Sequence, residues 1–251
     1  MKDAYWTLKS PDAWAAELWR RVPAYIRLTF FASVLLGLAV HFYMFVNKLP
    51  NHDDIAHLFS MNYGTASGRW LLPAVSFLDG PFSTPWLLGL LSVLFLAVTV
   101  CLSVSLLRIR RPLACAAAAA VMVSFPTVTG TFTYMFTASP YFFSLMLAAL
   151  SAYLAVRFRR GALPGAAALV LSMSIYQSYF EVAAVLMVGA LLLEALDGER
   201  SFWELIRRGL RLLAVLAAAM AVYLLAVRVT TRHIPSLLYT ADAAADKARV
   251  D

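Results

Sequence analysis

Two adjacent carboxylates, Asp53 and Asp54, follow Asn51-His52 where a long apolar run ends. Neighbouring carboxylates repel, so where both approach low-dielectric surroundings one of them holds its proton more tightly. Such a pair suits general acid/base work, in which a carboxylate takes the proton of an attacking hydroxyl. It also has the chemistry to hold a hard divalent cation, Mg or Mn. The structural alternative is a helix cap, because the helix dipole favours Asp near an N-terminus. Arg69, in Ser67-Gly68-Arg69-Trp70, offers the complement: a guanidinium fork that grips a phosphate. Its structural alternative is an Arg-Trp anchor at a membrane interface.

Two more stretches carry polar chemistry. Ser174-Ile175-Tyr176-Gln177-Ser178-Tyr179-Phe180-Glu181 supplies donors, acceptors and aromatic faces. Tyr176, Gln177 and Glu181 are its candidates for holding a sugar or an acceptor, against an aromatic belt with a satisfied Glu. Thr127 to Tyr141, with Tyr134 at its centre, is rich in hydroxyls and rings and reads equally as an ordinary loop. His41, His52, His57 and His233 show no metal-ligand spacing, and neither do Cys101 and Cys115.

The chain that positions these groups is overwhelmingly apolar. Of 251 residues, 62% are hydrophobic and 14% charged, with a mean hydropathy of +0.74. Apolar runs ended by Arg clusters or Pro and Gly predict an all-α polytopic membrane protein. Seven spans are expected, at about 24–46, 84–107, 113–129, 139–156, 162–176, 179–196 and 209–229. The third and fifth are short, as where helices line a cavity. No cleavable signal peptide is evident, since the run from Ala24 is long enough to span. Asn51 to Asn62 is expected as a helix on the membrane surface, with Ile55, Leu58 and Phe59 on its apolar face. Pro11 to Val22 and Ser201 to Ile206 are expected as short interfacial helices, the latter with Ser201 as N-cap and Glu204 three residues on.

The net charge of +7 and the pI near 9.6 do not point to nucleic acid. Lys2, Lys9, Arg20, Arg21 and Arg27, then Arg108, Arg110 and Arg111, then Arg157, Arg159 and Arg160, then Arg200, Arg207, Arg208 and Arg211 fall in alternate loops. They are 15 of the 21 basic residues, and by the positive-inside rule those loops are cytoplasmic. The expected organisation is one membrane domain over 1–251. Residues 1–23 form a cytoplasmic amphipathic N-terminus, 47–83 an outer catalytic loop and 230–251 an outer tail. The carboxylate pair, Arg69 and both polar stretches then share the outer face.

Asn51-His52-Asp53-Asp54, Ser67-Gly68-Arg69-Trp70 and Ile175-Tyr176-Gln177-Ser178-Tyr179, in that order, resemble the type II O-antigen glucosyltransferase family. The resemblance runs from about residue 25 to 230. That family resembles the larger GT-C-like class of polytopic glycosyltransferases that use polyprenyl-phosphate sugars. What the resemblance implies is transfer of a glucosyl or similar residue from an undecaprenyl-phosphate sugar to a surface glycan such as O-antigen. The reaction would take place at the periplasmic face of the bacterial inner membrane. Catalytic acid/base residues in the first outer loop match Asp53 and Asp54. Arg69 is the candidate for the donor phosphate. Implied partners are the lipid-linked donor, a glycan acceptor and membrane lipids, with no nucleic acid. Relatives also continue beyond a position equivalent to Asp251, which implies a partner protein or a missing C-terminal part.

Two other readings are carried forward. A transporter or flippase for a lipid or small solute would place ionisable groups near the midplane in repeated broken helices. A non-enzymatic membrane assembly subunit would tolerate neutral changes at Asp53, Asp54 and Glu181.

Overall fold

A computed structural model describes residues 10–47, 49, 55, 67–76, 84–198 and 200–231. Within them the chain is helical and contains no strand. The helices are α1 (Pro11–Arg21), α2 (Ala24–Val46), α3 (Leu72–Ser76), α4 (Pro85–Leu106), α5 (Pro112–Val123), α6 (Pro126–Phe132), α7 (Met135–Arg157), α8 (Ala162–Ile175), α9 (Phe180–Leu196) and α10 (Phe202–Thr231). A 3₁₀ turn at Gln177–Tyr179 joins α8 to α9. Proline opens α1, α4, α5 and α6, where its missing N–H would have been unpaired anyway.

The protein is an all-α polytopic membrane protein. α2, α4, α7, α9 with its leading 3₁₀ turn, and α10 are long and apolar enough to cross a bilayer, and α5 with α6 makes a sixth such segment bent by 48°. The bend falls where Pro126 drives Phe125 into the extended region. The fifth expected span, α8, has only 14 residues. At 1.5 Å per residue it is about 21 Å long, short of the roughly 30 Å hydrocarbon core.

Other expectations need correction in detail. Thr127 to Tyr141 is not a loop but α6 and the start of α7. Its hydroxyls turn back on the helix: Thr131 donates to the Thr127 carbonyl at 2.8 Å and Thr133 to the Gly130 carbonyl at 2.7 Å. Ser201 and Glu204 do form a capping box, with Ser201 N–H donating to the Glu204 carboxylate at 2.9 Å. The helix they start runs unbroken to Thr231, so 201–206 is the first part of α10 and not a separate element. The surface helix expected at Asn51 to Asn62 lies outside the described residues apart from Ile55.

The bundle packs with its small and polar groups inward. α2 buries Thr29, Ser33, Gly37, His41 and Phe45, a stripe of period four, and exposes Phe31, Leu35, Phe42 and Tyr43. Lipid solvates the large apolar side chains, so close approach of small residues and interhelical hydrogen bonds drive association. A Cβ added at Gly37 would lie 3.0 Å from Val93 of α4. His41 Nε2 sits 3.0 Å from the Val123 carbonyl of α5, and its ring lies 4.4 Å from that of Phe132. It is a satisfied core histidine. α4 and α7 form the centre; α2 packs on α4, while α8 and α9 pack on α7 and α10 closes the far side.

α7 and α8 are clamped by a reciprocal serine pair. Ser144 Oγ donates to the Ser172 carbonyl at 2.9 Å, and Ser172 Oγ donates to the Ser144 carbonyl at 2.8 Å. Replacing both serines by alanine is expected to cost about 1 kcal/mol. A lowered unfolding midpoint in detergent would report it, and an unchanged midpoint would show the pair to be dispensable.

Candidate functional site

The end of α8 creates the site. Tyr176 is extended (φ −151°, ψ 104°), which stops α8 and turns the chain into the 3₁₀ turn. The Ser174 carbonyl then accepts the Leu71 N–H at 3.0 Å. Two more hydrogen bonds fix the same short segment: Gln177 Nε2 donates to the Ser67 carbonyl at 3.2 Å, and Tyr223 of α10 donates to the Gly68 carbonyl at 3.3 Å. Gly68 has φ +81°, and a Cβ there would lie 2.7 Å from the Tyr223 hydroxyl. Glycine is needed both for the left-handed backbone and for the close approach.

This docking aims Arg69 into the bundle. Its Nη1 donates to the Tyr141 hydroxyl at 2.7 Å, and its guanidinium carbon lies 4.9 Å from the Tyr176 ring centroid. Tyr141 and Tyr176 stack at 4.4 Å with 20° between planes, and Tyr179 meets Tyr176 edge-on at 5.1 Å. Cation–π contact and one neutral hydrogen bond hold the cation. Among the described residues no carboxylate pairs with Arg69 and its buried Nε has no hydrogen-bond partner.

Around Arg69 opens a cavity of about 790 Å³. Thr131, Thr137, Tyr134, Tyr141, Ser178 and Glu181 contribute polar groups to its wall. Phe136, Phe142 and Leu145 contribute apolar surface. A cation, hydroxyls, ring faces and one exposed carboxylate, Glu181, are the inventory for binding a phosphate beside a polyhydroxylated group.

Of the residues singled out in the sequence, Arg69, Tyr134, Tyr176 and Glu181 line this one cavity. Gln177 stands behind it, with its amide nitrogen holding the Ser67 carbonyl and its buried Oε1 unpartnered among the described residues. Asp53 and Asp54 lie outside the described residues, as do His52, His57 and His233. Among the described residues no three His, Cys, Asp or Glu side chains cluster as a metal site. Tyr141 is the residue that the sequence underrated. Its position nearly two turns into α7, beside Pro140, carried no signal that it would stack on a ring 35 positions later.

The fold and this cavity define a class: a multi-helix membrane protein with a cationic, aromatic and hydroxyl-lined site at one end of its bundle. Residues 42–248 match the family described as Glucosyl transferase GtrII, and the chain belongs to that family. It is a membrane glycosyltransferase, of a family whose activity is glucosyl transfer in glycan modification. No curated protein and no solved structure matches it.

Gly68→Ala is expected to destabilise the protein by about 1–2 kcal/mol through the left-handed backbone. Tyr223→Phe, which loses only the hydrogen bond to Gly68, is expected to cost about 1 kcal/mol or less. Thermal unfolding of the two variants side by side checks the order.

Proposed function

We propose that the protein moves a glucosyl or similar residue from an undecaprenyl-phosphate sugar to a surface glycan such as O-antigen. In this reading it lies in the bacterial inner membrane with its N-terminus cytoplasmic and its site periplasmic. The observation that carries the reading is Arg69, held by the Tyr141 hydroxyl and over the Tyr176 ring in the large cavity, with no carboxylate ion-paired to it among the described residues. A guanidinium in such a cavity, ion-paired to no described carboxylate, is matched by the phosphate of a lipid-linked donor. The biased placement of the arginines supports the orientation.

The roles follow from the chemistry. Asp53 or Asp54 removes the proton of an acceptor hydroxyl as its oxygen bonds to the anomeric carbon. The bond from that carbon to the phosphate oxygen breaks, and polyprenyl phosphate leaves as an anion. Arg69 stabilises the charge that gathers on the leaving phosphate, a role that grows towards the transition state. Tyr176 and Tyr134 give the sugar its apolar faces. Glu181 and Gln177, with the hydroxyls around them, bind and orient the sugar or the acceptor.

Transfer of labelled glucose from polyprenyl-phosphate glucose to membrane glycan tests the proposal. Arg69→Lys keeps the charge and loses the fork, and is expected to lower turnover by about 10- to 100-fold, less than the roughly 100- to 1000-fold of a charge-stabilising donor lost outright. The double change Asp53→Asn with Asp54→Asn is expected to abolish transfer while the protein stays folded. Full transfer by the double variant would remove the carboxylates from the mechanism. Lipid translocation without any glycan transfer would favour the flippase reading.

A further inference from the structure

The opposite end of the bundle carries a second built cavity that the transfer chemistry does not use. It has a volume of about 490 Å³ and is lined by Arg108, Arg157, Arg159, Arg200, Arg208 and Arg211. One carboxylate, Glu194, faces them from α9. Tyr141 at the first site and Arg157 here are 16 residues apart on α7, about 24 Å along the axis. The two cavities therefore lie near opposite faces of an apolar layer.

The arginines at this end are arranged, not merely numerous. Glu194 is buried, and Arg208 Nε lies 2.6 Å from its Oε2 as an ion pair without the alignment of a hydrogen bond. Arg200 reaches the same oxygen at 3.1 Å. Arg208 also donates to the Val156 carbonyl at 2.6 Å, and Arg211 donates to the carbonyls of Phe158 and Arg159 at 3.0 and 2.8 Å. Arg108 pairs with Asp197 and takes a left-handed φ of +57°, a conformation that favours glycine. Arg157 and Arg159 meet no carboxylate among the described residues. Orientation in a membrane requires positive charge at this end. It does not require guanidiniums to converge on a cavity, nor a strained backbone to keep one of them there.

A groove adjoins this cavity and shares Arg157 with it. Its volume is about 470 Å³, and its wall is largely apolar: Val22, Ile26, Phe30, Val98 and Leu102, with Arg27 and Arg157 as its cations and Tyr153 one turn before Arg157. It extends from Tyr25 to Phe30 along α2 and from Val98 to Ser105 along α4, about 8 and 10 Å. The rings of Tyr153 in the groove and Phe158 in the cavity meet edge-on at 6.1 Å across Arg157. A cationic cavity joined to an apolar groove through one arginine is complementary to an amphiphile with an anionic head and a hydrocarbon chain.

We propose that this end binds one anionic glycerophospholipid, its headgroup phosphate among Arg157, Arg159 and Arg211 and the upper part of one acyl chain in the groove along α2 and α4. Basic pockets between membrane helices have this chemistry toward phospholipid headgroups. The site is separate from the donor cavity, so the lipid is a bound structural partner and not a substrate.

Native mass spectrometry of the full chain released from detergent tests this, with phosphatidylglycerol, phosphatidylcholine, polyprenyl phosphate and inorganic phosphate each added. The wild type is expected to retain phosphatidylglycerol about tenfold more than phosphatidylcholine. Arg157→Gln with Arg159→Gln, which removes no hydrogen bond or ion pair described here, is expected to reduce that preference at least fivefold at an unchanged unfolding midpoint. Val98→Trp, which fills the groove, is expected to weaken retention of the long-chain lipid more than that of its short-chain analogue. Equal retention of the two phospholipids by the wild type overturns the proposal without any variant. Preferential retention of polyprenyl phosphate, or inorganic phosphate displacing the lipid at equal concentration, overturns the assignment to a glycerophospholipid.

Discussion

The end of α8 is the constraint on which the site depends. When Tyr176 turns out of the helix, the Ser174 carbonyl is left for the Leu71 N–H. Inside an apolar bundle neither group has water to fall back on, so the pairing is close to obligatory. It ties the segment that carries Arg69 to the element that carries Tyr176, and the Gln177 and Tyr223 hydrogen bonds lock the same segment from two other sides. A cation on a loop thereby gains the positional accuracy of a helix end. Tyr141 supplies the remaining support from α7, which the serine pair clamps to α8.

The bundle around this point is built as lipid demands. The inward stripe of α2 is small and polar from Thr29 to His41 and ends on Phe45, while its outward faces carry Phe, Leu and Tyr. α9 repeats the arrangement, burying Ala183, Met187, Ala190 and Glu194 and exposing Val185, Val188 and Leu192. In water such helices would be inside out. In hydrocarbon the large side chains lose nothing by facing outward, and the interior is free for serine, glycine, alanine and a few paired charges. The short α8 and the bent α5–α6 pair leave room at one end, and the cavity opens there.

Charge divides the molecule along its axis. At one end Arg69 stands among tyrosines, ion-paired to no described carboxylate; at the other, arginines converge on Glu194 and on backbone carbonyls. Membership of the glucosyl transferase family fits the first end, where a cation, ring faces and hydroxyls line one cavity. The second end has the chemistry of a lipid headgroup site. One fold thus presents two phosphate-compatible environments: a large cavity stacked with rings, and a smaller one that opens onto an apolar groove.

Much of this was legible along the chain. The apolar runs gave the all-helical membrane architecture, because crossing a bilayer requires about 20 consecutive residues whatever their partners. The prolines and the Ser201–Glu204 pair marked helix starts, because capping is local chemistry. Arg69, Tyr134, Tyr176 and Glu181 stood out by type against an apolar background, and the ordered short motifs pointed to the family. The same uniform background hid the rest. Helices that are apolar all round carry no amphipathic stripe to say which side faces inward, so the buried face of α2 and the Tyr141–Tyr176 stack were decided by packing between distant segments. The hydroxyl-rich stretch 127–141 looked like a loop but is accommodated in α6 and α7, where Thr131, Thr133 and Thr137 donate to carbonyls three or four residues back. Which arginine answers Glu194 was likewise settled in three dimensions: charges at loop ends fix orientation by number alone, whereas pairing requires the two helices to be side by side.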